Sequence, residues 1–331
     1  MIVAQGAHLT YPHANGFHDD RVAVVRWDAE RSATALVSVS LDDAGDVQEI
    51  CTVPGPYPND NTVWFDVARS ARRLAAVWDD ALHLVDLDDP VAEVVYRGRN
   101  LHGLVSINAA GDRVLVAEQE PCRLLEVDVD TGGVRVVHTS SWWSNHAHYC
   151  PADEAWIGFS HEGPTETVPD RVWAWHASEL PAGGCVLKQP DGLYFGHERW
   201  AHHAVGAVVV AYGVSPGEPR GLYWTSPGEP EGRLLSRGDR YWHCDINRDG
   251  TLAVVDTSGP ADRPGKGWEN ADNQSDVLLI DLRDGQVTPL ARTLAKRHPA
   301  HPHPIFTPDS SSVLYNHLAP DGTVSVGRVN L

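Results

Sequence analysis

Ser70 to Arg97 reads SARRLAAVWDDALHLVDLDDPVAEVVYR, and Ala109 to Val137 repeats its layout as AAGDRVLVAEQEPCRLLEVDVDTGGVRVV. Each opens on a turn of small residues or Asp-Gly, then runs an apolar strand, a short gap, a second strand of the LxVDL kind, an acidic turn and a third strand. Further copies open at Pro151, Arg248 and Pro308, with strands such as TLAVVDT and SSVLYNH, and weaker ones span Phe17 to Thr52 and Trp200 to Gly238. A recurrence of roughly 40 to 60 residues is that of four-stranded blades. Helical repeats would need apolar residues at i, i+3, i+4 and i+7, a pattern that no segment sustains. The expected fold is all-β, a β-propeller of about seven blades occupying 1–331 as a single domain. The last copy stops at Leu331 after two or three strands, so an N-terminal strand is expected to complete it and close the ring, removing exposed sheet edges. A two-domain sandwich is the poorer fit, because its strands recur faster than these units do.

The 331 residues are 42% apolar and 21% charged, apolar enough to bury a large core and to exclude a disordered chain. Lys and Arg number 26 against 45 Asp and Glu, a net charge of −19. A partner read through its phosphates would need the opposite sign, so no nucleic acid is expected. The acid is scattered through turns such as Asp42-Asp43 and Asp88-Asp89 and reads as solvated surface. Met1 to Asn15 carries neither the Lys or Arg nor the apolar run of a secretory signal, and the most apolar stretch, Val205 to Val214, is about half a bilayer span. Five widely separated cysteines without a C-x-x-C pair read as reduced thiols. A cytoplasmic protein without a membrane segment is expected.

Histidine is the anomaly: 18 of them outnumber the 9 Tyr and 5 Phe. The run His298-Pro-Ala-His301-Pro-His303-Pro-Ile-Phe is the densest group. Pro302 and Pro304 bias His301 and His303 toward extended geometry, where alternate side chains share a face. His298 precedes them in a loop that could curl a third imidazole inward, and His243 begins the preceding blade. Blade starts converge on a propeller's central channel, where several neutral imidazoles suit a first-row divalent ion. Exposed loop histidines held by proline are the alternative. His197-Glu198-Arg-Trp-Ala-His202-His203 lacks the His-x-x-x-His spacing of a zinc protease, and there is neither a G-x-S-x-G elbow nor a Gly-rich phosphate loop. Acidic pairs such as Asp79-Asp80 lie on turns, which argues against a two-carboxylate glycosidase.

Several separated motifs occur in one order: Asp60-Asn61-Thr62; His161-Glu162-Gly163-Pro164 followed by Arg171-Val172-Trp173; Gly196-His197-Glu198 with Trp200; His243 before Asn247-Arg248-Asp249-Gly250; and His301-Pro-His303-Pro-Ile-Phe-Thr-Pro-Asp. From roughly His8 to the C-terminus this pattern resembles the oligogalacturonate lyases, seven-bladed propellers that cleave short pectic uronides by β-elimination with bound Mn2+. The resemblance implies that His243, His301 and His303 ligate the metal, that His197 removes the C5 proton and that Arg171 binds the uronate. A substrate-binding set of His161, Glu162, His148, Asn61 and His202 is expected around these, with His161 and Glu162 alternatively serving only to orient Arg171. Where the family has Gln as another ligand this chain has His298, which replaces oxygen by nitrogen and leaves Ni2+ or Zn2+ as alternatives to Mn2+. Where the family has His-Pro-Gln, this chain reads His146-Ala147-His148.

The residue types suit that chemistry. A C5 hydrogen beside a carboxylate is weakly acidic, so elimination needs a cation on the carboxylate and a base nearby. The expected substrate is a small anionic oligosaccharide. For His197 the competing reading is a structural channel histidine, with Glu198 on the opposite face of its strand. For Arg171 it is an ion pair with Asp170 or another acid. Trp142, Trp143 and Trp242 could stack on sugars or simply pack between blades. Two other functions compete: a metal-dependent hydrolase or lactonase, which would give no conjugated product, and a non-catalytic interaction propeller, which would show no convergent ligand set.

Overall fold

The computed structural model describes residues 1–28, 30–53, 63–258, 271–294 and 300–331. Asn61 and His298 lie outside the described residues. Regular structure within them is entirely β, so no helix is long and apolar enough to cross a membrane.

Antiparallel sheets follow one another in chain order. Phe65–Val67, Arg73–Trp78, Ala81–Asp86 and Ala92–Arg97 form one four-stranded sheet; three more lie between Ser106 and Thr139, Ser144 and Cys185, and Phe195 and Arg237. A five-stranded sheet precedes them, built on Arg21–Asp28, Ala33–Ser40 and Val47–Val53. An eight-stranded sheet follows, and among the described residues its two halves meet at the pair Leu294↔Leu318. At its edge Ile2–Gln5 pairs antiparallel with Val324–Asn330, joining the two ends of the chain.

Burial falls across each sheet. In the fourth sheet Ser144–Tyr149 is wholly buried, whereas the outermost strands, such as Ala92–Arg97 and Val134–Thr139, turn Val94, Val134 and Val136 to solvent. Most core clusters lie between two neighbouring sheets, and one, around Val254, Val277 and Phe306, lies between the two halves of the eight-stranded sheet. Val105, Val114 and Leu125 pack on Leu82 and Ala75, and Phe195, Trp200 and Val209 pack on Trp156, Val172 and Ala174. Ile305, Leu314 and Val326 pack on Val22, Val24 and Val37, so the last strands rest against the first sheet.

The turns legible in the sequence follow the short innermost strands. After Ser106–Ile107, Gly111 donates to the Asn108 carbonyl while Asn108 Oδ1 accepts from the N–H groups of Asp112 and Arg113. Asn247 repeats this with Gly250, Thr251 and Leu252. Gly111 and Gly250 have φ of +75° and +72°, which a Cβ would strain.

Candidate active site

The innermost strands do not run straight. Pairing register shifts between Asn145 and His148, between Gly196 and Arg199, and between Tyr241 and Cys244. His146, His197 and His303 adopt φ of +51°, +54° and +45°. Left-handed backbone is uncommon for non-glycine residues and concentrates at functional sites, where bulges re-aim side chains. Three histidines at comparable places on three inner segments share it.

His243, His301 and His303 are buried and offer ring nitrogens that lie within 4.8 Å of one another. First-row ions hold imidazole nitrogens at about 2.0–2.1 Å, so small side-chain rotations bring all three onto one ion. His243 Nδ1 donates to Asp256 Oδ2 at 2.8 Å, which turns Nε2 into the cluster, the usual carboxylate–histidine arrangement behind a metal. Asp256 also accepts from the backbone N–H groups of His243 and His303, at 2.7 and 3.1 Å, and so fixes both ligand-bearing segments. Burial pushes its carboxyl up to about 8, against the pull of those N–H groups. A cation beyond His243 would favour the ionised form. The donor set fits a divalent ion. His301 and His303 were expected to converge through extended alternation; the left-handed turn at His303, despite the proline after it, brings them together instead.

His197 stands beside this cluster, its ring centroid 4.2 Å from that of His243. Its Nδ1 donates to the Trp242 carbonyl at 2.6 Å, so Nε2 is the basic nitrogen. Glu198 was expected on the opposite face. The bulge at His197 turns it inward, where it is 2% exposed, accepts from Ser160 Oγ and lies 3.8 Å from His146 Nδ1. Burial raises its carboxyl, with Arg171 opposing.

Arg171 is buried and donates through Nη2 to Glu162 Oε1 at 2.8 Å. Its Nη1 lies 3.4 and 3.3 Å from the carbonyls of His161 and Gly163. Asp170 is not its partner. That carboxylate takes His161 Nδ1 at 2.8 Å, and the His161 ring stacks on Trp142 at 4.1 Å. Glu162 and the His161 backbone thus hold Arg171, and Trp142 is committed to packing. Trp242 lies against His197 and Tyr212 at 5.2 and 4.6 Å.

Two predicted substrate residues lie elsewhere. His148 sits a layer away, its Nδ1 2.6 Å from the His146 carbonyl and its ring 5.2 Å from His13. His202 lines a separate cavity with Arg69, Arg199 and Arg248. His146 takes the place expected of His148, 3.3 Å from Glu162 Oε1 and with its ring centroid 6.4 Å from that of His197. Sequence reasoning also missed Tyr11, His13 and Asp256. Tyr11 lies amid the cluster, 5.0 to 6.2 Å from the rings of His146, His197, His243 and His303. The only signal for it was a Tyr-Pro-His near the start of the chain; for Asp256, it was an acid inside the apolar run LAVVD.

Sheets arranged around a buried three-imidazole cluster, with a fourth histidine beside it, define an all-β protein with a candidate metal site. Comparison with known proteins narrows the class. The model of the family described as oligogalacturonate lyase matches residues 114–325, and the chain belongs to that family. It is 29% identical over 202 residues to the oligogalacturonide lyase of Pectobacterium atrosepticum, an alignment covering 59% of this chain and 52% of that protein. It is 27% identical to the oligogalacturonate lyase of Dickeya dadantii over the same shares. The chain thus spans about half the length of these relatives. Among solved structures it resembles an oligogalacturonate lyase in complex with manganese (TM-score 0.79, 22% identity, 99% of this chain and 90% of that one). It also resembles an oligogalacturonate lyase from Vibrio parahaemolyticus (TM-score 0.81, 20% identity, 99% and 92%).

Proposed function

We propose that this protein is a metal-dependent lyase that cleaves short oligogalacturonides by β-elimination. The observation that carries the reading is His197, its tautomer fixed by Trp242, 4.2 Å from the centre of a prospective metal ligand. When bound, the divalent ion supplies positive charge to the uronate carboxylate, lowering the cost of removing the C5 proton. His243, His301 and His303 would hold it, and the manganese of the structural neighbour makes Mn2+ the first ion to test. Nε2 of His197 takes the C5 proton; the electron pair of that C–H bond becomes the C4=C5 double bond. The C4–O bond breaks with its pair leaving on oxygen, which then takes a proton. Arg171, aligned by Glu162, pairs with uronate charge, and Trp242 offers a wall against which a sugar ring can stack.

The fold supporting this site is read as seven four-stranded blades over 1–331, closed where Ile2–Gln5 becomes the outer strand of the last. The sparse link between the halves of the eight-stranded sheet among the described residues and the core shared by the last and first units support that reading. All five cysteines are free, in keeping with a cytoplasmic, reducing site of action.

The test is far-ultraviolet absorbance of the unsaturated product on incubation with di- and trigalacturonate. Chelation should abolish it and Mn2+ restore it; hydrolysis without an absorbing product would overturn the lyase reading. His243→Ala should leave the purified protein without stoichiometric metal. Asp256→Asn should keep the ligands but weaken metal affinity about 10- to 100-fold, as measured by chelator competition. Unchanged affinity would mean that Asp256 serves only the backbone.

A further inference from the structure

A second cavity, of about 170 Å³, opens at the opposite ends of the same inner strands. The metal-ligand cluster uses His243 near the start of Tyr241–Ile246 and His303 just before Ile305–Phe306; this cavity is lined by Ile246 to Arg248 and Phe306 to Pro308, where those strands finish. Its charged lining is three arginines, Arg69, Arg199 and Arg248, against two carboxylates, Asp19 and Asp245. Both carboxylates are engaged. Asp245 accepts from Arg199 Nε at 2.8 Å and from the Phe306 N–H at 2.8 Å, and Asp19 pairs with Arg72 outside the cavity lining.

The arginines are not equally occupied. Arg199 also gives Nη1 to the His13 carbonyl. Arg69 Nη1 is buried without a hydrogen-bond partner among the described residues, and the Arg248 guanidinium reaches the same cavity from its exposed rim. A buried guanidinium N–H left without an acceptor is costly; the charges of Asp66 and Glu154 act on Arg69 without bonding this nitrogen. In a protein of net charge −19, such a local excess of positive charge is not a general surface property.

We propose that this cavity is a binding site for a small oxyanion, a phosphate or a short dicarboxylate, held by Arg69 and Arg248 with Arg199 as the fixed floor. Guanidinium forks match both chemistries bidentately. A volume of about 170 Å³ leaves room for one such anion and its water. The positive field is visible at His202, which burial first, then Arg199, Arg69 and Arg248, holds at about 3. The inference stands apart from the lyase reading, since none of its residues belongs to the histidine cluster.

Isothermal titration of the full, metal-loaded chain with orthophosphate and separately with malonate, at ionic strength matched by chloride, tests it. One saturable site is expected for at least one probe, and which one binds identifies the chemistry. Arg69→Gln and Arg248→Gln should each weaken binding at least tenfold, while His243→Ala should leave it intact. Circular dichroism of the variants checks folding. The proposal is overturned if neither probe saturates, if both arginine variants bind like the parent, or if His243→Ala alone abolishes binding, which would place the anion at the metal site.

Discussion

His197→Ala should lower the rate of the proposed oligogalacturonide elimination by about 10²- to 10⁴-fold and leave the divalent ion bound, because a positioned general base contributes about that much and none of the three clustered ligands is touched. The separation is possible because His197 is anchored by its own Nδ1 bond to the Trp242 carbonyl, not by the Asp256 that steadies His243. His197→Gln keeps the size of the side chain and still lacks a base, so it should be equally slow. The measurement is initial rate by product absorbance beside metal content by atomic spectroscopy. A variant that has lost both rate and metal would make His197 part of the metal site; one that retains near-parental rate would transfer the base role to another group.

Lowering the pH from 7 to 5 should destabilise the fold severely. Burial holds His18 and His102 at about 4 and His148 and His202 at about 3, whereas histidines of the unfolded chain titrate near 6.5. Above about pH 6.5 neither state carries these protons and they cost nothing. Between there and the folded values the unfolded chain binds protons that the folded chain refuses, so stability falls with pH, by up to about 1.4 kcal/mol per unit for each group. At pH 5 that is about 2 kcal/mol apiece. Four such groups are comparable with the whole stability of a typical domain, about 5–15 kcal/mol, and the raised Asp256 carboxyl, which gains stability over the same range, offsets only about one of them. Some contacts depend directly on the neutral ring: His102 Nδ1 accepts from the Leu104 N–H at 3.2 Å, an arrangement that protonation ends. Urea midpoints at pH 7, 6 and 5 should drop steeply; a flat profile would mean that these rings reach water or share protons in the folded state.

The repeat was legible in the chain because its strongest signals are local. Asn108 to Gly111 and Asn247 to Gly250 make turns whose hydrogen bonds lie within a few residues, and the LxVDL strands beside them carry continuous apolar runs. Innermost strands such as Phe65–Val67 and Ser106–Ile107 are too short to show a period, which is why each unit read from sequence opens at the turn behind them. The residue types of the site were equally visible: His243, His301 and His303, singled out in the sequence, lie together with His197 beside them. What tertiary structure alone decided was direction. Alternation along an ideal strand sends Glu198 away from His197 and treats His146 and His148 alike, but left-handed bulges at His146 and His197 break that alternation. They turn Glu198 and His146 inward and leave His148 a layer away. Likewise Tyr11, from an N-terminal segment, and Asp256, from a second strand, join the cluster only because the sheets are brought around a common centre. Contacts between residues far apart in the chain leave no periodic trace in it, and a one-residue bulge is held by the neighbouring sheets, not by its own sequence.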